Sequence, residues 1–129
     1  MSVVFDASAL LAFLQEEPGA SVVELALEDA DAVCPATNWS EVAQKLCYHG
    51  VDWAESREAL HSFGIRVEPI TEVDAERAAE LWTEHSSLSL ADRLCLAVGE
   101  RLDADVLTAD RELVKAHPQA KSIRGLEVV

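Results

Sequence analysis

The chain has 129 residues, half of them hydrophobic, and carries a net charge of −14 at neutral pH. This length suits a single domain, 1–129, with a core of its own, and the charge argues against general nucleic-acid binding through a broad basic patch. No run of about 18 apolar residues predicts a membrane span, and no leader-like segment opens the chain, so we expect a cytoplasmic protein that does not enter a membrane.

Short apolar segments alternate with helical patterns along the chain. The predicted strands are 2–5, 32–35, 65–70 and 105–109, with a fifth within 121–129. The predicted helices are 8–15, 20–29, 38–49, 52–63, 71–82, 89–102 and 110–116. Short apolar strands separated by helices indicate a parallel sheet covered on both faces. We therefore predict an α/β fold, Rossmann-like, with a central parallel sheet of four to five strands and helices on both faces.

Cysteine, histidine and glycine residues do not occur at the spacings that are typical of zinc sites or nucleotide-binding loops. The cysteines form no C-x-x-C pair and lie in apolar segments, so we expect three small buried residues, Cys34, Cys47 and Cys95. The four histidines lack zinc-ligand spacing, and neither G-x-G-x-x-G nor G-x-x-x-x-G-K-[ST] occurs. Core positions are also expected for the tryptophans, Trp39, Trp53 and Trp82.

Asp6 interrupts two apolar runs in the stretch VVFDASALLAF. It follows the first predicted strand directly, and the end of a strand does not require an acid. A buried carboxylate without a partner is energetically costly. Asp6 is therefore expected either to have a structural partner or to be held in place for a cation.

Three further acids are predicted at helix starts. Glu41 and Asp92 could each be the N3 partner of a capping residue, Asn38 and Ser89 respectively, and Asp110 could be a simple N-cap. In a parallel sheet, however, all these helix starts and the end of the first strand meet at one edge, where open α/β sheets bind ligands.

Four carboxylates at one edge repel each other, and some would have to take up protons. A hard divalent cation removes that conflict, because Mg²⁺ and Mn²⁺ prefer oxygen ligands. Such an ion lowers the pKa of bound water and stabilises charge on a phosphoryl oxygen. The acidic cluster therefore points to metal-dependent phosphodiester hydrolysis.

Four segments, VVFDASALLAF, TNWSEVAQKL, LSLADRLCLAVGERL and VLTADREL, together resemble the motifs of PIN-domain ribonucleases, and most closely those of VapC-like toxins of toxin–antitoxin pairs. The resemblance implies a metal-dependent endoribonuclease toxin that hydrolyses RNA with a metal-activated water. It implies Mg²⁺ or Mn²⁺ as cofactor, a cognate antitoxin that lays a helix across a groove, and a homodimer.

The resemblance also implies roles for individual residues. Asp6, Glu41, Asp92 and Asp110 match the family's four metal-binding acids, in that order. Ser8 and Thr108 match the D-x-S and T-x-D motifs, with a helix N-cap and a strand end as their structural alternatives. Asn38 either supports Glu41 or caps its helix. Arg93 and Arg111, which follow two of the acids, either contact RNA phosphate or pair with surface acids.

Other functions that place an aspartate after the first strand fit less well. Haloacid-dehalogenase phosphatases use D-x-D, and position 8 here is Ser8. Receiver-like domains need an acidic pair before the first strand's aspartate and a lysine near the last strand, and neither pattern is clear. A catalytically inactive PIN-fold binding module and another metal-dependent phosphoesterase stay as alternatives, although the presence of all four acids argues against the inactive module.

Overall fold

The fold is known from a computed structural model that describes residues 1–82 and 87–125. Five parallel strands form one sheet in the order β3-β2-β1-β4-β5. The strands are β1 Ser2–Phe5, β2 Asp31–Pro35, β3 Arg66–Glu68, β4 Asp105–Thr108 and β5 Ala120–Ser122. The seven helices of the described residues are α1 Ala7–Leu14, α2 Ala20–Asp29, α3 Ala36–Tyr48, α4 Trp53–Ser62, α5 Glu72–Glu80, α6 Leu90–Leu102 and α7 Arg111–Ala116. The predicted α/β architecture is confirmed.

Side chains alternate between the two faces of the sheet, as the period of two along a strand requires. Val4, Val33 and Val106 pack on one face with buried residues of α6 and α7. Phe5 and Cys34 pack on the other face with helices α1 to α4. Each face therefore has its own hydrophobic core, and this fixes the helices that carry the acids against the sheet.

Side-chain caps fix the starts of several helices. Asp6 caps α1 by accepting a hydrogen bond from Ala9 N, 2.9 Å away. Thr71 and Ser89 form capping boxes at the starts of α5 and α6, and the second was predicted. Asp110 caps α7 by accepting from Glu112 N. Two of the structural roles considered for the acids are therefore real, the Asp110 N-cap and the Asp92 member of a capping box, and the structural partner of Asp6 includes the start of α1.

Several sequence expectations need correction. Helix α3 begins two residues earlier than predicted, after Pro35, because proline fits readily at a helix start. Cys47 is exposed, whereas Cys34 and Cys95 are buried as expected. Trp82 is 59% exposed. The fifth strand begins one residue earlier than the predicted range, and the end of that range, 126–129, lies outside the described residues.

No helix of the described segments is long and apolar enough to cross a membrane.

Candidate active site

The candidate site lies at the point in the sheet where the order of the strands along the chain reverses. The chain runs outward from β1 through β2 to β3, then returns to the other side of β1 with β4 and β5. Open α/β sheets bind ligands outside the carboxyl ends of strands at this switch point. Asp6 follows β1 and Thr108 ends β4 at this place, and Asp6 N donates to Leu107 O at 3.2 Å.

Asp6 is 3% exposed and is surrounded by hydrogen-bond donors. Thr108 Oγ1 donates to its Oδ2 at 2.5 Å, and Ser8 Oγ donates to its Oδ1 at 2.7 Å. Both hydroxyls also accept a hydrogen bond from the backbone of the loop after β4. Ser8 Oγ accepts from Ala109 N and Thr108 Oγ1 accepts from Asp110 N, each at 2.9 Å. The cap of α1 is therefore Asp6 and not Ser8, and Ser8 and Thr108 fix Asp6 relative to the β4–α7 loop.

The remaining three acids line the same cleft as Asp6, which has a volume of about 580 Å³. Because α3 begins early, Glu41 lies in its second turn, and the N3 role considered for Glu41 is wrong. Asn38 lies inside the helix, buried, and its Nδ2 donates to Glu41 Oε1 at 3.1 Å. Asp92 and Asp110 reach the cleft from the starts of α6 and α7. The predicted convergence of all four acids is observed.

Burial and mutual repulsion make three of the acids, Asp6, Glu41 and Asp92, hard to ionise. Burial raises the pKa of Asp6 to about 6, although hydrogen bonds from Thr108, Ser8 and Ala9 oppose the shift. Burial, followed by the charge of Asp92, raises the pKa of Glu41 above its ordinary value. Burial also raises the pKa of Asp92, and the charge of Asp110 adds to it. Negative charge is therefore concentrated at the acids of the cleft.

The oxygen atoms of the cleft are of the kind that a hard cation binds. Within residues 1–82 and 87–125, no three Asp, Glu, His or Cys side chains stand close enough together to hold a metal ion in their present positions. The chemistry does fit, because every acid in the cleft offers carboxylate oxygens. Asp92 uses Oδ2 as a cap and Asp110 uses Oδ1, so each keeps its second oxygen. Capping and cation binding are thus compatible for the same side chain.

The two arginines predicted to contact phosphate are not among the residues that line the cleft. Arg93 Nη1 donates to Ala78 O at 2.8 Å, which directs this side chain toward α5. That position argues against a phosphate contact for Arg93. A phosphate contact for Arg111 stays a prediction.

Basic residues that the sequence analysis did not single out line the cleft instead. They are Lys45 of α3, the C-cap His49 directly after that helix, and Arg124, which follows β5. The spacing of Glu41, Lys45 and His49, four residues each, was the pattern that would have revealed this shared helix face.

Comparisons with known proteins agree with this geometry. The sequence profile of the PIN domain matches residues 3–117, while no curated protein sequence matches the chain. A chain of a toxin–antitoxin complex from Klebsiella pneumoniae is 20% identical with a TM-score of 0.75, and the match covers 94% of this chain and 97% of that one.

Two further solved structures share the fold. PAE2754 from Pyrobaculum aerophilum is 21% identical with a TM-score of 0.67, over 95% of this chain and 84% of that one. VapC20 from Mycobacterium tuberculosis, described as a sarcin–ricin loop cleaving toxin, is 15% identical with a TM-score of 0.67, over 88% and 94%. At these identities the structures establish a common fold, and the profile match over most of the sequence shows that the chain belongs to the PIN domain family.

Proposed function

We propose that this protein is a metal-dependent endoribonuclease, the toxin of a toxin–antitoxin pair, that hydrolyses RNA phosphodiester bonds. The observation that carries the proposal is the convergence of four carboxylates in one cleft of a PIN domain, at the carboxyl ends of the central strands. Two structural neighbours support it, since one comes from a toxin–antitoxin complex and another is described as a sarcin–ricin loop cleaving toxin.

Asp6, Glu41, Asp92 and Asp110 are the residues that would hold Mg²⁺ or Mn²⁺. A bound ion would lower the pKa of water and stabilise negative charge on a phosphoryl oxygen. Because no three of these side chains are close enough as they stand, ion binding requires carboxylates to turn inward. It would also reverse the raised pKa values, since a cation favours the ionised carboxylates.

The chain's own residues position the acids. Ser8 and Thr108 fix both oxygens of Asp6, and the Asn38 amide orients Glu41 from inside α3. The buried thiols of Cys34 and Cys95 are not suited as nucleophiles, because burial raises their pKa values. Water is therefore the proposed nucleophile, and the reaction adds water across the phosphodiester bond without a covalent protein intermediate.

The proposed partners are a cognate antitoxin, the RNA substrate and a second copy of the chain. The strongly negative net charge favours an antitoxin whose contacting segment is basic, because opposite charges steer association. The specific alternative is a PIN domain that binds RNA or protein without cleaving it. The complete set of four acids in the cleft favours the enzyme.

Cleavage and metal binding can be tested separately. Antitoxin-free protein is incubated with RNA in Mg²⁺, in Mn²⁺ and in chelator, and its melting temperature is measured in the same solutions. Wild type should cleave only with metal, and metal should raise its melting temperature. Asp6→Asn should lose both effects. Asp52→Asn is the matched control, because Asp52 caps α4 outside the cleft.

Each other outcome has a distinct meaning. Metal stabilisation without cleavage would support the metal site and contradict the nuclease activity on the RNA tested. Cleavage that persists in chelator or in Asp6→Asn would contradict the metal mechanism. If neither cleavage nor stabilisation occurs, the four acids serve only as caps and positioning groups, and the binding-module alternative is favoured.

A further inference from the structure

Helices α6 and α7 both begin at the cleft and are joined again near their other ends. Asp92 lies in the first turn of α6 and Asp110 is the N-cap of α7, and both side chains line the cleft. Glu100 lies near the end of α6, and His117 is the C-cap of α7. At a rise of about 1.5 Å per residue, Glu100 is about 12 Å along the helix axis from Asp92. The contact between Glu100 and His117 is therefore remote from the proposed cation site.

The His117 ring connects the two helix ends through both of its nitrogens. Nδ1 accepts a hydrogen bond from Gln119 N at 3.1 Å, so Nε2 carries the proton and donates to Glu100 Oε2 at 2.7 Å. The His117 side chain is 10% exposed. Glu100 is in turn fixed by Arg77, whose Nε donates to Oε1 at 2.6 Å and whose Nη2 donates to Oε2 at 3.0 Å. The end of α7 is thus bonded to a carboxylate that α5 already holds in place.

The side chain of Gln119 makes a second connection between the same segments. Its Nε2 donates to Gly99 O at 3.2 Å and to Ala104 O at 2.9 Å, within α6 and directly after it. Glu100, His117 and Gln119 together form what we call the clamp. Because its two connections use different atoms of α6, the clamp fixes both the position and the direction of the end of α7.

The starts of the same two helices carry like charges, since ionised Asp92 and Asp110 repel each other. Helix α7 has six residues, and Leu113 is its buried residue, packed in the same core cluster as Leu96 of α6. A short helix that is held mainly at one central residue can pivot there. Repulsion at its start would then move Asp110 away from Asp92. The clamp lies on the other side of Leu113 and opposes this movement.

We propose that the clamp positions the cation site, because it keeps the helix starts that carry Asp92 and Asp110 close enough for both side chains to reach one ion. His117 and Gln119 are positioning residues that act through α7 and do not contact the ion. The proposal rests on the proposed metal-dependent function and adds residues outside the cleft to it. Cation affinity should therefore depend on the bond between His117 and Glu100, and not on the stability of the fold in general.

Two substitutions of His117 separate these possibilities. In His117→Gln, the amide nitrogen replaces the ring Nε2 as donor to Glu100, and the acceptor for Gln119 N is lost. In His117→Asn, the amide oxygen replaces Nδ1 as acceptor, and the donor to Glu100 is lost. Each variant loses one hydrogen bond, so both should lower the melting temperature of metal-free protein by a similar amount, on the order of a few degrees.

The affinity for Mn²⁺ is measured without RNA, from the EPR signal of free Mn²⁺ during titration with protein. Wild type and His117→Gln should have the same Kd, and His117→Asn should bind about three- to tenfold more weakly. Gln119→Met, which keeps the side-chain length but loses the donor, should weaken binding in the same way and replaces His117→Asn if that variant does not fold. His61→Asn is the control, because His61 is an exposed histidine of α4 that does not line the cleft.

The outcomes separate the clamp from the proposed function. If wild type binds Mn²⁺ and all clamp variants bind it like His61→Asn, the clamp is overturned and the metal site stands. If His117→Gln and His117→Asn weaken binding equally, affinity follows stability, and the clamp is overturned as well. If wild type binds no Mn²⁺, the metal site of the proposed function fails, and the positioning role of the clamp fails with it.

Discussion

At the scale of single residues, the cleft acids combine structural and proposed chemical roles. Asp6 caps α1 and accepts bonds from two hydroxyls, yet its pKa is raised to about 6 because it is almost completely buried. Asp92 and Asp110 each use one oxygen as a helix cap and keep the other. A capping role is therefore no argument against ion binding, because a carboxylate has lone pairs for both.

The raised pKa of Asp6 predicts how stability changes with pH in metal-free protein. The folded state keeps a proton that the unfolded chain, with an ordinary value of 3.8, has already lost. The contribution of Asp6 to the free energy of unfolding therefore falls as pH rises from about 4 to 6, by about 2–3 kcal/mol at most. Asp6→Asn removes this loss and should make metal-free protein more stable than wild type at neutral pH.

Urea unfolding at about pH 4 and about pH 7 measures this effect. The difference in unfolding free energy between Asp6→Asn and wild type isolates Asp6 from the other titrating acids. Asp52→Asn, a cap substitution at an exposed site, should not show the pH-dependent gain. A less stable Asp6→Asn protein at neutral pH would mean that the Asp6 carboxylate is ionised and well stabilised in the fold.

At the scale of elements, α6 is held against α5 by ion pairs. Arg101 binds the buried Asp74 through Nε at 2.9 Å and Nη2 at 3.0 Å, and Arg77 binds Glu100 in the same two-bond manner. A hydrogen bond from Arg77 lowers the pKa of Glu100 to about 2, with a further contribution from His117. These contacts fix the helix that carries Asp92, and they direct Arg101 toward α5.

Removal of Asp74 should be costly because it leaves Arg101 without its buried partner. We expect Asp74→Ala to lower the free energy of unfolding by about 2–3 kcal/mol, because two charge-assisted hydrogen bonds are lost, while Arg101 keeps Glu68 as a partner at 3.0 Å. Thr71→Ala removes the same capping box but keeps the ion pair, and it should cost about 1 kcal/mol. Equal losses in the two variants, measured by urea unfolding, would show that the pair contributes nothing beyond the cap.

At the scale of the whole molecule, the main electrostatic feature is the net charge of −14. Self-repulsion destabilises a compact protein of high net charge, and salt screens it. The Debye length falls from about 10 Å at 0.1 M salt to about 3 Å at 1 M. The acidity would also suit a saline cytoplasm, a hypothesis that rests on composition.

Salt should therefore stabilise the protein. We expect the melting temperature to rise by several degrees between about 0.1 and 1 M NaCl, equally in wild type and in Asp6→Asn, because screening acts on the whole surface. Millimolar Mg²⁺ or Mn²⁺ at constant ionic strength should add a further rise in wild type alone. No stabilisation by NaCl, with activity falling as salt rises, would count against adaptation to high salt.

The sequence alone determined the order of strands and helices, the parallel sheet and the edge at which the acids meet. These features follow from local rules: apolar periods of two or 3.6 residues, capping boxes such as Ser89–Asp92, and the connection geometry of parallel strands. Because each helix start was located to within two residues, the convergence of Asp6, Glu41, Asp92 and Asp110 followed from topology. That residues 1–129 form a single domain stays a prediction.

Only the tertiary structure decided where side chains point. Glu41 lies in the second turn of α3 and is oriented by Asn38, and Arg93 turns to α5. None of this follows from sequence spacing alone, because the direction of a long side chain depends on neighbours that are distant in sequence. Ser8 and Thr108, 100 residues apart, meet at Asp6 only because β1 and β4 are adjacent in the sheet.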